Sequence, residues 1–481
     1  MSDQNLYSDE YGVVEAVHFP LVHVSGLPHV RVGQLIEFKN GLKAQVISFT
    51  EETAKAMLLD SQELGVGSKC FHCQAELSID CAEDLFGTVV NPLGELLYPQ
   101  IKKTQRGVEQ RSIDHTPPKL SARKEIIEPL LTGVSVVDLM LPLGKGQRQL
   151  IVGDRGSGKT SFLLNVAQKQ ISEGAVVVFC LIGKRISEVK RITQLVTGDQ
   201  FKDNAVLVST DAQDPPSLIS LTPFSAMAVA EYFADQGRDV VLLLDDLTTH
   251  ARFYREVSLL AKKFPGRDSY PGDIFYTHAR LLERAGNFKN GSITCLPLAE
   301  TTGNDLTNFI VSNLISITDG HLLFDLQKVH RGLHPAINTF LSVTRVGKQT
   351  QTALVREVNR ELNSLMNRFE KTRSLAHFGA ELTAETKKLL SKGNLIEEFF
   401  TQAVHSVVPL PVQLAMITMI KLGWLKDLET EQLRNCRNKL IETYHENKEL
   451  KKIFDELAES LEWEEYKQSL KQVKEKLPCA L

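Results

Sequence analysis

The sequence predicts a multidomain chain with an N-terminal β-barrel, a central α/β domain on a mostly parallel sheet, and a C-terminal α-helical domain. Three patterns carry that prediction. Short apolar stretches broken by turn residues fill the first part, continuous apolar runs alternate with helical stretches in the middle, and glycine-poor sequence with helical spacing forms the end. The divisions fall at residues 1–84, 85–350 and 351–481.

From about Tyr11 to about Glu83, Gly26, Gly33 and Asn40-Gly41 punctuate the apolar stretches, the last pair lying between IEF and LKAQVISF. Asn-Gly between two such runs signals a hairpin, because both residues tolerate positive φ, and the whole segment reads as a small barrel or sandwich. Cys70, Cys73 and Cys81 fall here as CFHC and SIDC. A lone CxxC lacks the second pair of a closed zinc site, so these cysteines read as strand residues of the barrel. In the middle, QLIVG, AVVVFCLIG and DVVLLLDD are unbroken apolar runs. Strands of that kind are buried on both faces, as in a parallel sheet. Beyond about Gln351, Leu450, Ile453, Phe454, Leu457 and Leu461 repeat at helical spacing, and the charges of that C-terminal helix read as a solvated face.

The bulk numbers exclude several classes. A chain of 481 residues has room for more than one domain and a large core, and its 42% hydrophobic and 24% charged residues are those of a globular protein. With 55 basic against 59 acidic residues the net charge is −4, without the basic footprint of nucleic-acid binding. No apolar run reaches the roughly 18–20 residues that cross a bilayer, and the opening MSDQNLYSDEYG has neither part of a signal peptide. Any membrane link is therefore expected to go through partners. Seven scattered cysteines, an odd number, suit a reducing compartment, and the chain reads as cytoplasmic.

The sharpest motif is Gly153-Asp154-Arg155-Gly156-Ser157-Gly158-Lys159-Thr160, which matches GxxxxGK[ST] directly after the apolar run Leu150 to Val152. Glycines let such a loop curl its N–H groups toward phosphate oxygens; the lysine balances the outer phosphates, and the threonine hydroxyl meets Mg²⁺. A second run, Val240 to Leu244, ends in Asp245-Asp246, and Asp245 is expected to hold the metal through water.

These segments, together with Pro265 to Ala285 (PGRDSYPGDIFYTHARLLERA), Ile315 to Gly320 (ISITDG) and His334 to Gly347 (HPAINTFLSVTRVG), resemble the alpha subunits of F-type ATP synthases from about residue 12 to beyond 420. Pro265 to Ala285 is less like catalytic beta subunits, V-type subunits and flagellar-type export ATPases. The resemblance implies a RecA-like P-loop domain and a site for ATP or ADP with Mg²⁺. It also implies an alternating hexamer with a catalytic beta-type subunit, around a gamma-type shaft. The complex would sit on the cytoplasmic face of a bacterial inner membrane, coupled to proton or sodium flow through its ion-translocating sector. Arg345 aligns with the arginine finger that such subunits insert into the adjacent beta site, where a guanidinium stabilises the transferring phosphoryl group. Gln402 aligns with a residue near the adenine.

Four departures carry expectations of their own. Where catalytic relatives have Gly-Glu-Arg, this chain has Gly183-Lys184-Arg185 and alpha subunits have a glutamine nearby. A lysine cannot take a proton from water as a carboxylate does, so this chain's own site is expected to hydrolyse poorly, with Glu188 one turn on as the alternative base. His334 stands where alpha subunits have arginine, and the usual Gln-x-Gln reads Gln402-Ala-Val404, which predicts weaker adenine recognition. The opening also lacks the longer N-terminal helix offered to a delta-type or peripheral-stalk partner, so the standard attachment is not implied for this chain. Two other readings compete: an alpha-like subunit of a repurposed rotary-type ATPase uncoupled from ion flow, and a hexameric RNA translocase binding RNA through its barrel. The acidic balance and the barrel's sparse aromatics weigh against the latter.

Overall fold

The computed structural model describes residues 11–50, 52–73, 77–99, 108–377, 383–403, 406–426, 428–460, 462–474 and 477. The first ten residues, Val404 and Leu461 lie outside them. The chain forms two compact units, the first from residues within 1–124, 174–299 and 307–317, the second from residues within 125–173, 300–306 and 318–481. It has the expected N-terminal barrel, parallel α/β sheet architecture and C-terminal helical domain. Among the described residues no helix is long and apolar enough to cross a membrane.

In the first unit, β1 (Tyr11–His18), β2 (Leu21–Ser25), β3 (Leu35–Phe38), β4 (Lys43–Phe49), β5 (Ala54–Leu58) and β6 (Lys69–Cys73) close a barrel in the order β1-β2-β5-β4-β3-β6. Alternation does the sorting: Val14, Val22, Val24, Ile36, Ala44, Val46, Ala56 and Leu58 point inward, the larger of them each contributing about 1.5–3 kcal/mol by burial. The Asn40-Gly41 hairpin sets the register Leu35 to Gln45, with Gly41 at φ +85° and Asn40 accepting the Leu42 N–H at 3.3 Å. Cys70 and Cys73 lie on β6, whereas Cys81 lies on a separate strand, Ser78–Cys81, paired with Glu109–Ser112. Burial pushes the Cys70 thiol up to about 11 and Cys81 up to about 12, which keeps both protonated and unreactive.

Beyond the barrel, Ala205–Asp211, Val176–Lys184, Asp239–Asp245 and the strand opening at Ser292 run parallel in that order, almost wholly buried. The Pro265 to Ala285 segment puts two of its polar side chains inside this unit. Arg284, fully buried, grips both oxygens of Glu231 at 2.8 and 2.6 Å and donates to the Ile113 carbonyl at 2.7 Å. Breaking such a buried pair costs about 3–5 kcal/mol. His278 lies 3.1 Å from His250, whose other ring nitrogen faces the Ser220 carbonyl at 3.1 Å, and His278 Nδ1 has no hydrogen-bond partner among the described residues.

In the second unit, Gln149–Asp154 runs parallel to Gly320–Phe324, which Val343–Thr344 flanks antiparallel. Among the described residues six helices follow, Ala353–His377, Ala384–Phe400, Leu410–Leu422, Thr430–Glu446, Lys448–Ser460 and Trp463–Gln472. Leu450 and Phe454 are buried as their spacing predicts, while Ile453 and Leu457 flank them half-buried. The buried Asp138 carboxylate accepts from the Thr132 amide and hydroxyl, the Gly133 amide and Gln413 Nε2, all within 3.0 Å, tying the turn before the helix Ser135–Met140 to the helix Leu410–Leu422.

The histidine pair makes stability pH-dependent. Burial pushes His250 down to about 4 and His278 well below its ordinary value, so both fold as neutral rings. The contribution is complete above the unfolded value of about 6.5, and is lost as pH falls toward the folded values because the unfolded chain binds more protons. We expect the urea midpoint, followed by circular dichroism, to fall between pH 6.5 and 4.5 with up to about 1.4 kcal/mol per pH unit from each ring. His250→Gln should flatten that profile; an unchanged slope would contradict it.

Candidate functional site

The GxxxxGK[ST] motif, Gly153 to Thr160, is built in the second unit. Gln149–Asp154 is buried throughout and ends at the loop, and the helix Lys159–Ser172 begins as the loop closes. Gly153 has φ +155° and lies so close to the parallel neighbour that a Cβ would collide with the Phe324 carbonyl oxygen, whereas Gly156, at φ +80°, faces open space. Ser157 is pinned to the Asp154 carbonyl by its amide (3.3 Å) and hydroxyl (2.7 Å). Buried Lys159 folds back to donate to the Gly153 and Asp154 carbonyls, both at 2.8 Å, so its ammonium is held beside the loop's own backbone. The Asp154 carboxylate accepts from Thr301 Oγ1 at 2.5 Å and from the Asn304 amide at 3.1 Å, which makes it a brace beneath the loop. Arg155 is exposed, and Thr160 sits half-buried in the first helical turn.

Arg345 is exposed in the same unit, just past the strand Val343–Thr344. Its amide donates to the Asp319 carbonyl at 3.0 Å and its guanidinium reaches the Thr318 carbonyl at 3.5 Å. Among the described residues no carboxylate pairs with it. Asp319 is itself clamped by Arg148, through its amide at 2.8 Å and its guanidinium at 2.8 and 3.2 Å. Gln402 is buried with its side chain spent on backbone: it accepts from the Ser135 amide at 2.6 Å and donates to the Gly133 and Ser406 carbonyls at 3.0 and 3.1 Å.

Asp245 belongs to the first unit, and its surroundings were not foreseen from the sequence. The strands Val176–Lys184 and Asp239–Asp245 run in parallel register with Leu181 opposite Asp245, so Lys184 and the two aspartates emerge from adjacent strand ends. Lys184 Nζ lies 2.5 Å from Asp245 Oδ1 and 3.0 Å from Asp246 Oδ2. Asp246 also caps the helix Leu247–Leu260, accepting the Thr249 amide at 2.6 Å and its hydroxyl at 3.0 Å. Burial alone would pull the ammonium down, but Asp246 and Asp245 outweigh it and raise the lysine above its ordinary value, so it stays charged. Glu188 stands half-buried in the first turn of the helix Ile186–Val196. The available signal was a lysine closing one apolar run and an Asp-Asp pair closing another; strand order, absent from the sequence, makes them neighbours.

Comparison with known families gives two matches. Residues 133–344 match the model of the ATP synthase alpha/beta family, nucleotide-binding domain, and residues 351–477 match the ATP synthase alpha/beta chain, C terminal domain. The chain belongs to the ATP synthase alpha/beta family. Among its relatives, one named ATP synthase subunit alpha 2, from Syntrophus aciditrophicus, is 33% identical over 92% of this chain and 87% of its own length. ATP synthase subunit alpha from Acholeplasma laidlawii is 34% identical over 94% and 91%. ATP synthase subunit alpha 1 from Rhodopirellula baltica is 35% identical over 88% and 85%.

The loop geometry separates two glycines of the motif. Gly156→Ala meets only the cost of a left-handed conformation, about 1–2 kcal/mol, whereas Gly153→Ala adds a backbone collision worth about 1–3 kcal/mol more. Thermal unfolding of both variants checks this: Gly153→Ala should melt lower, and equal melting temperatures would refute the account of the loop.

Proposed function

We propose that the chain is the alpha-type, nucleotide-binding subunit of an F-type ATP synthase, that its own site turns nucleotide over poorly, and that it lends Arg345 to a neighbouring beta-type subunit. The family match and the names of the relatives support the first part. The observation that carries the second is the Lys184 ammonium on Asp245 and Asp246, a cation where catalytic relatives offer a general base. A lysine held protonated cannot deprotonate an attacking water.

The P-loop residues fit a nucleotide's phosphates. Phosphate oxygens could take the place of the two backbone carbonyls that Lys159 donates to, and the helix beginning at Lys159 directs its N-terminal dipole toward negative charge. Thr160 presents the hydroxyl that a P-loop offers to Mg²⁺ accompanying ATP or ADP; that ion would offset phosphate charge. Gln402 acts here by fixing the Gly133 to Ser135 turn, since its polar atoms are taken by backbone.

Arg345 fits a role in trans. It is exposed, free of a carboxylate partner among the described residues, and anchored through its backbone to Asp319, which Arg148 holds bidentately. A guanidinium presented in this way meets a phosphoryl group without first breaking an ion pair. The partners would be a beta-type catalytic subunit alternating with this chain and a gamma-type shaft, with a stalk contact and an ion-translocating sector completing the link to the cytoplasmic face of a membrane.

The test is steady-state ATP hydrolysis by the complex reconstituted with its beta-type and gamma-type partners. Arg345→Ala should lower kcat by about 10³ to 10⁵ with the assembly intact by size-exclusion chromatography. Wild-type turnover from an intact Arg345→Ala complex would remove the trans role.

A further inference from the structure

The sequence assigns Asp245 to a magnesium ion, but the side chains around it do not fit one. Lys184 Nζ lies between Asp245 Oδ1 at 2.5 Å and Asp246 Oδ2 at 3.0 Å. Asp246 is further committed to the amide and hydroxyl of Thr249. The three side chains are nearly dry, with 13% of Lys184, 5% of Asp245 and 2% of Asp246 exposed. Mg²⁺ requires oxygen ligands at about 2.0–2.1 Å in near-octahedral array and keeps several of its waters. An ammonium has no lone pair to offer and repels a divalent cation at this range. Glu188, from the helix that follows Lys184, also acts on Asp245 and adds negative rather than positive charge. The position is therefore one that favours a cation, and the chain supplies the cation itself.

We propose that Lys184 is a built-in counter-ion occupying the cation position of the Asp245–Asp246 pair, so that this chain binds a nucleoside di- or triphosphate without a divalent metal at that pair. The second clause rests on the nucleotide-binding reading above; the first does not. A neutral glutamine at this point would leave the two carboxylates to recruit a cation from solution. Here the recruitment is intramolecular and is complete when the strand ends come together. The same ammonium that prevents base catalysis thus also removes the metal requirement at that pair.

Mn²⁺, a paramagnetic substitute for Mg²⁺, tests the first clause on the full chain without nucleotide. In a Mn²⁺ titration followed by electron paramagnetic resonance, Asp245→Asn should leave the native isotherm unchanged. Lys184→Gln should gain one site at least about tenfold tighter than any in the native chain. That site should vanish in Lys184→Gln/Asp245→Asn, and Lys184→Arg, which keeps the charge, should behave as native. A native Mn²⁺ site lost in Asp245→Asn would overturn the proposal, and this comparison decides it even if circular dichroism shows Lys184→Gln to be misfolded. The second clause is tested by calorimetric titration with ADP. The ratio of affinities in Mg²⁺ and in EDTA should agree within about twofold between the native chain and Asp245→Asn, and a tenfold smaller ratio in Asp245→Asn would overturn it. Absence of ADP binding in both buffers by folded chain would instead remove the nucleotide-binding reading, with the Mn²⁺ result still judging the counter-ion.

Discussion

Lys184 reaches from the end of one parallel strand to two carboxylates at the end of the next, and the chemistry available at those strand ends follows from that contact. Two buried aspartates side by side would repel one another and would be costly to keep ionised away from water. A protonated lysine between them offsets that cost, and removing it would leave uncompensated buried charge. Asp246 gains a further role by capping the helix Leu247–Leu260, so the ion cluster and the entry into that helix are set by one side chain. A group placed to hold charge in this way is withdrawn from proton transfer.

The second unit shows a comparable division between groups that act and groups that hold. Lys159, Thr160 and Arg345, the residues proposed to carry the chemistry, stand on hydrogen-bonded supports. Asp154 braces the loop through Thr301 and Asn304, and Arg148 clamps Asp319, which in turn holds the backbone of Arg345. The exposed guanidinium is thus presented by a fixed backbone, an arrangement that would limit the ordering needed in the proposed contact with a partner.

Much of this was legible in the sequence, for identifiable reasons. Period-two alternation and the Asn40-Gly41 turn foretell the barrel, because each depends on neighbouring residues only. The unbroken apolar runs foretell parallel buried strands, and the P-loop announces itself by spacing alone. What escaped depends on tertiary neighbours. Lys184 was read as a missing base and not as a counter-ion, since strand order makes it adjacent to Asp245 and Asp246. Gln402, aligned with an adenine contact, proves to be tied into backbone on both sides by residues some 267 positions earlier in the chain. Cys81 was grouped with the barrel by proximity in sequence, yet its strand pairs outside it.

In the proposed function this chain holds nucleotide without turning it over because its strand-end cation is a lysine. This is tested most directly by single turnover: isolated chain in excess over ATP labelled at the γ-phosphate, quenched over a time course and analysed for released phosphate. The account predicts that ATP bound to the folded chain is recovered intact over times in which a beta-type subunit in its complex completes many cycles. Release of phosphate by the lone chain at a rate comparable to that complex would contradict it, and would assign the attacking water a base, such as Glu188, that acts despite the Lys184 ion pair.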